Sequence, residues 1–140
     1  MSRAPTPRRP FTLMIISNAA DRVHMALMTA ATAAAMGRPV TLFFSKKAAH
    51  AVKRGGFDAL PAPDGGSAAD MNHVQTEKGI ADAHVLLDAL AALDAWFLVC
   101  ETALREEDID PADLMTRPPV EVAGLATILE RGAGGDWLTF

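Results

Sequence analysis

Hydrophobic positions in this chain gather into short unbroken runs, separated by longer stretches in which apolar residues return at helical intervals. Residues 11–17 (FTLMIIS), 39–44 (PVTLFF) and 96–100 (WFLVC) are apolar without alternation, the pattern of strands buried on both faces in a parallel sheet. Between the first two runs, residues 21–36 are rich in alanine and methionine, with Asn18 or Asp21 as the expected cap and Gly37 as the stop. This stretch is predicted as the first helix, and Met25, Met28 and Met36, at near-helical spacing, are expected to fill core. After the second strand Ser45 is placed to cap a short basic helix that runs through Lys53 and is closed by Gly55 and Gly56.

Residues 55–79 hold glycines, prolines and aspartates with no sustained period and read as a long loop, with at most a helical turn around Met71 to Glu77. Loops of that length tend to be lids, binding segments or interface arms. Helical spacing returns over residues 80–93, at Val85, Leu86, Ala89, Leu90 and Leu93. Beyond the third strand, residues 101–107 read as a short helix and a proline-containing linker follows. Then come a short strand at VEVAG from Val120, a helix over residues 125–131, and a last strand at DWLTF.

Strands alternating with helices predict an α/β fold, a three-layer sandwich with a mostly parallel sheet of about five strands. Residues 11–140 are expected to form one domain, with residues 1–10, three prolines and three arginines among them, as a flexible basic tail. The RRPF of that tail is not read as a twin-arginine signal, because the apolar run after it is broken by Ser17, Asn18, Asp21 and Arg22. No stretch approaches the ~18 uninterrupted apolar residues of a membrane span.

Charge and cysteine content narrow the function. Thirteen basic residues against 17 acidic ones give a net charge of −4, so no global positive field favours nucleic acid. The single cysteine, Cys100, excludes an internal disulfide and fits a reducing, cytoplasmic setting. Cys100 ends the third strand and precedes a helix, and sites in open parallel sheets form beyond the carboxyl ends of strands. A helix start offers unpaired N–H groups to an anionic sulfur, whereas Glu101, Glu106 and Glu107 oppose a further negative charge. A lone cysteine beside WFLV is very often a small buried hydrophobe. With no C-x-x-C pair and no resolving cysteine, dithiol exchange within the chain is excluded. A persulfide or a mixed disulfide with another molecule is left as the available chemistry.

Four segments in order, AATAAAMGRPVTLFFS (Ala30 to Ser45), FLVCETA (Phe97 to Ala103), EEDI (Glu106 to Ile109) and EVAGLATILE (Glu121 to Glu130), resemble the DsrE/DsrF-like sulfur-relay family. The likeness is to its small single-domain, peroxiredoxin-like members. This resemblance implies an α/β domain that assembles into homotrimers or hexamers, with Cys100 as acceptor and donor of persulfide sulfur. It further implies sulfur donor and acceptor proteins as partners. The sequence departs from that subgroup at Thr102 and Ala103, where members commonly carry a methionine and then a small hydroxyl residue.

Other residues are weaker candidates. Asn18, Asp21 and Ser45 follow strand ends, and with Glu101 and Thr102 are expected to line a pocket near Cys100; His73, from the long segment, is placed to fold over the thiol from the same or a neighbouring subunit. The four histidines lack a paired ligand spacing, so no metal site is expected, and the glycine clusters do not form a phosphate loop. Lys46, Lys47, Lys53 and Arg54 make a basic stripe, either a solvated face or an attractor of anions. The leading expectation is a persulfide carrier or weak sulfurtransferase without an organic cofactor. The alternative is a non-catalytic oligomeric module that binds a small ligand and uses Cys100 as packing. Peroxide reduction lacks support, there being neither a T-x-x-C arrangement nor a resolving cysteine.

Overall fold

The computed structural model describes residues 8–140; the expectation of a flexible tail falls, for residues 1–7, outside the described residues. The chain runs β1 (Phe11–Ile15), α1 (Ala20–Ala35), β2 (Val40–Phe44), a 3-10 segment (Lys46–Val52), α2 (Gly56–Ala59), α3 (Ala68–Glu77) and α4 (Ala83–Ala92). It continues with β3 (Trp96–Cys100), α5 (Glu101–Glu106), a 3-10 turn (Pro111–Asp113), β4 (Val120–Ala123), α6 (Leu125–Arg131) and β5 (Asp136–Thr139). All five strands are parallel, in the order β4-β3-β2-β1-β5.

That order dictates where the helices lie. From β1 to β4 the chain steps in one direction across the sheet, so right-handed crossovers put their connections on one face; the return from β4 to β5 at the far edge puts α6 on the other. The side chains agree. Phe57 of α2 packs edge-on against Phe44, and α1 packs on α4 and α3, all on the side of Leu13, Leu42, Phe44, Phe97 and Val99. On the opposite side Arg131, at the end of α6, lies 3.6 Å over the Trp96 ring, and Trp137 Nε1 donates to Gly132 O at 3.2 Å. The sheet is thus flanked by helices, and each strand presents alternate residues to the two layers.

Three expectations from the sequence are corrected. First, residues 55–79 are not a continuous loop: they hold α2 and α3. α3 is opened by a capping box in which Ser67 Oγ accepts from Asp70 N while Asp70 Oδ2 accepts from Ser67 N at 3.1 Å. Its only buried residues are Ala68 and Asn72, so no apolar period announces it, but Ser-x-x-Asp at 67–70 is the signal that was there to read. Ser67→Ala is expected to lower stability by about 1 kcal/mol, measured by urea unfolding. Second, α1 buries Val23, Ala26, Leu27 and Ala30, while Met25, Met28 and Met36 stand exposed. Third, neither Asn18 nor Asp21 caps α1: the N-cap is Ala19, whose N–H donates to Ser17 Oγ at 3.1 Å. Ser45 occupies the N-cap of the 3-10 segment without a side-chain bond. Gly37 ends α1 as expected, with φ +83°.

Candidate functional site

The strands are held in register by their backbones, so their carboxyl ends come out side by side. Ser45 N donates to Ile15 O at 2.9 Å, fixing the exit of β2 beside that of β1. Cys100 pairs in register with Ala123, so β3 and β4 end together. Asn18, Ser45, Cys100 and Gly124 therefore mark one edge of the sheet, with α5 springing directly from Cys100.

Cys100 is a free thiol with φ −66° and ψ 124°, still extended backbone, and serves as the N-cap of α5 without a side-chain capping bond. Its relative exposure is 6%. By alternation it falls on the side of Leu98 and Trp96, under neither Phe44 nor Phe97. The next residue, Glu101, sends its carboxylate toward Gly124, where a Cβ would stand 3.3 Å from Oε1. Glycine at 124 thus leaves room for a carboxylate beside the strand ends.

The other two carboxylates near the thiol in sequence are engaged elsewhere. Glu106 receives Lys46 Nζ at 3.1 and 3.2 Å, and Glu107 Oε1 lies 3.0 Å from His50 Nε2. Both sit at the far end of α5, about 9 Å of helix rise from Cys100, and they tie that helix to the 3-10 segment. Lys46 reaches Glu106 from a left-handed backbone, φ +52°.

A groove of about 400 Å³ opens along α5, lined by Glu101, Leu104, Arg105, Ile109 and Val122 among others. Leu104, Ile109 and Val122 were not singled out in the sequence; they are apolar residues scattered over three elements, brought together only by the fold. Of the pocket-lining expectations, Asn18 and Ser45 are partly buried at the strand ends, Glu101 borders the groove, and Asp21 and Thr102 are exposed in the first turns of α1 and α5. His73 is exposed on α3, its Nε2 3.2 Å from Glu77 Oε1. Within one chain α3 packs on α1 and α2, across the sheet from the side to which Cys100 belongs. Among the described residues no group of three or more His, Cys, Asp or Glu side chains could hold a metal ion, and no helix is long and apolar enough to cross a membrane.

The sequence matches the DsrE/DsrF-like family over residues 12–140. The chain belongs to the DsrE/DsrF-like family. Its fold is shared with solved structures of low sequence identity. The ychN protein from E. coli superposes with a TM-score of 0.65 at 17% identity, over 94% of this chain and 99% of that one. A protein of unknown function from Methanobacterium thermoautotrophicum, MTH1491, gives 0.62 at 14% identity, over 94% and 99%. No curated protein matches the sequence significantly. A DsrE/DsrF-like chain is associated with sulfur relay, and in this member the one thiol stands at the carboxyl end of an inner strand.

Proposed function

We propose that this protein carries persulfide sulfur on Cys100, as a carrier or weak sulfurtransferase in cytoplasmic sulfur relay, acting as a homo-oligomer between sulfur donor and acceptor proteins. The observation that carries this reading is the position of Cys100. It sits where β3 ends and α5 begins, at the carboxyl edge of the sheet, and its chain holds no second cysteine.

The chemistry needs only one thiol. The Cys100 thiolate attacks the outer sulfur of a donor persulfide, R–S–SH; the donor S–S bond breaks as the new one forms, giving Cys100–S–SH and releasing R–S⁻. No oxidant is consumed, because the sulfane sulfur moves with its oxidation state unchanged. Delivery repeats the exchange toward an acceptor thiolate. The pairing of Glu106 with Lys46 supports the reading, since it sets an ammonium against a carboxylate that would otherwise oppose an anionic sulfur on the same helix. Asn18, Ser45, Glu101 and Thr102 are the side chains we assign to the surroundings of the loaded sulfur. Asp21 and His73 are assigned to its approaches in the assembly.

The low exposure of Cys100 favours a second reading, a ligand-binding module in which the cysteine is packing. Intact-mass measurement of the native protein after exposure to a low-molecular-weight persulfide separates the two. The carrier reading expects a gain of one sulfur atom that a thiol reductant reverses. An unchanged mass, with the thiol also shielded from alkylation in the native state, would leave the packing reading standing.

A further inference from the structure

A second pocket, of about 260 Å³, lies between the turn at residues 53–58 and the segment 115–117. The two stretches are tied together by backbone: Lys53 and Leu114 form an antiparallel bridge, Arg54 N donates to Asp113 O at 2.9 Å, and Met115 N donates to Val52 O at 2.9 Å. This pairing brings Lys53, Arg54 and Arg117 around one space, with Thr116 beside them. The basic stripe of the sequence is thereby divided: Lys46 goes to Glu106, while Lys53 and Arg54 turn to the pocket and acquire Arg117 from a distant part of the chain.

The pocket's one carboxylate is already engaged. Asp58 Oδ1 accepts from Asn72 Nδ2 at 3.0 Å and lies 2.7 Å from His84 Nε2. Arg54 is steadied by Leu114 O at 3.4 Å and by Asp113 at 3.7 Å, Arg117 stands 4.0 Å from Asp88, and these pairs are all more than half exposed. Lys53 has no ion pair among the described residues. The partners of Arg54 and Arg117 lie outside the pocket lining and the pairs are exposed and long, so they are weak enough to yield to an anion, while Lys53 brings a cation with no ion pair among the described residues. A concave pocket lined by two arginines and a lysine suits a compact anion with several acceptor oxygens better than a flat acidic surface.

We propose that this pocket binds a small tetrahedral oxyanion of the phosphate class, held by Lys53, Arg54 and Arg117. The anion is either free phosphate or the phosphoryl end of a small phosphomonoester. The site is separate from Cys100 and stands or falls apart from the sulfur-carrier reading.

The test is a titration of the full chain with inorganic phosphate and with glycerol phosphate at constant ionic strength, followed by calorimetry and by backbone amide shifts. Saturable binding is expected, with the shifts centred on Gly55 and Thr116. It should weaken by about tenfold or more in the Lys53→Gln/Arg117→Gln double variant, since each loses a hydrogen bond to a charged ligand. Lys47→Gln, an exposed cation outside the pocket, should leave it unchanged. Tighter binding of glycerol phosphate assigns the site to a phosphomonoester, and equal binding assigns it to the free anion. Absence of saturable binding to the unaltered chain, or equal weakening by Lys47→Gln, would overturn the proposal. The amide shifts of the unaltered chain decide the location even if the double variant is unstable.

Discussion

Phe44→Ala is expected to lower the stability of this protein by about 3–5 kcal/mol, the largest loss from any single side-chain truncation described here. Phe44 has no exposed surface and stands at the centre of an aromatic cluster, edge-on to Phe57 at 5.9 Å and stacked with Phe97 at 6.0 Å. It is the last residue of β2, so its ring joins the central strands to α2 beneath the strand ends that carry the candidate site. Truncation removes the apolar area, leaves a cavity the two remaining rings cannot close, and forfeits the ring–ring geometry, itself worth about 0.5–1.5 kcal/mol per pair. Against a total of about 5–15 kcal/mol for a natural domain, that is a large fraction of the stability. Phe44→Leu keeps most of the volume and is expected to cost less than about half as much. Urea unfolding of the three proteins with equal m-values checks this ordering. Similar losses in both variants would mean that ring geometry, not filled volume, holds the cluster.

Much of this was legible in the chain and some was not, and the difference has a physical basis. β1, β2 and β3 are inner strands with both faces covered, so each is an unbroken apolar run that only burial in a parallel sheet explains. Their end points alone place Cys100 at a carboxyl end. The exposed methionines of α1 show where period alone misleads. Met25 and Met28 interleave with Val23, Ala26, Leu27 and Ala30, and it is the alanines that let the helix approach the sheet. The large apolar residues of α1 therefore do not mark its buried stripe. α3 was hidden for the opposite reason. It packs through Ala68 and Asn72, and its start is encoded by hydrogen-bonding side chains, not by hydrophobicity.

The sites differ in the same way. The position of Cys100 is a local fact, fixed by one strand and one helix start. The groove along α5 is non-local, built from Leu104, Ile109 and Val122, and the basic pocket needs Arg117 to meet Lys53 across more than sixty residues. The destinations of Glu106 and Glu107 were equally unreadable. Whether a carboxylate beside a thiol in sequence faces it or a lysine depends on the path of the preceding strand. Here β2 delivers Lys46 and His50 to the far end of α5.

Removing the thiol should divide function from stability, and the division decides what Cys100 is for. In Cys100→Ala the persulfide-dependent gain of one sulfur is expected to vanish entirely, while stability falls by only about 1–2 kcal/mol, the transfer cost of one small buried group plus a minor cavity. The small cost follows from size: Cys100 is buried in the core but adds only one sulfur beyond alanine, its neighbour in register is Ala123, and it makes no side-chain capping bond. Cys100→Ser keeps the volume but lacks the nucleophile. It should lose loading equally, and its hydroxyl, at the start of α5, has N–H groups within the next turn to meet, which limits the cost of burying it to a similar size. Intact mass and urea unfolding, run on both variants beside the unaltered chain, supply the two axes. Loss of loading with both variants near 1–2 kcal/mol identifies a thiol kept for its chemistry. A cost well above that range, together with no loading in the unaltered chain, would identify a core residue instead, because only a tightly surrounded sulfur leaves a cavity large enough to unfold the strand end.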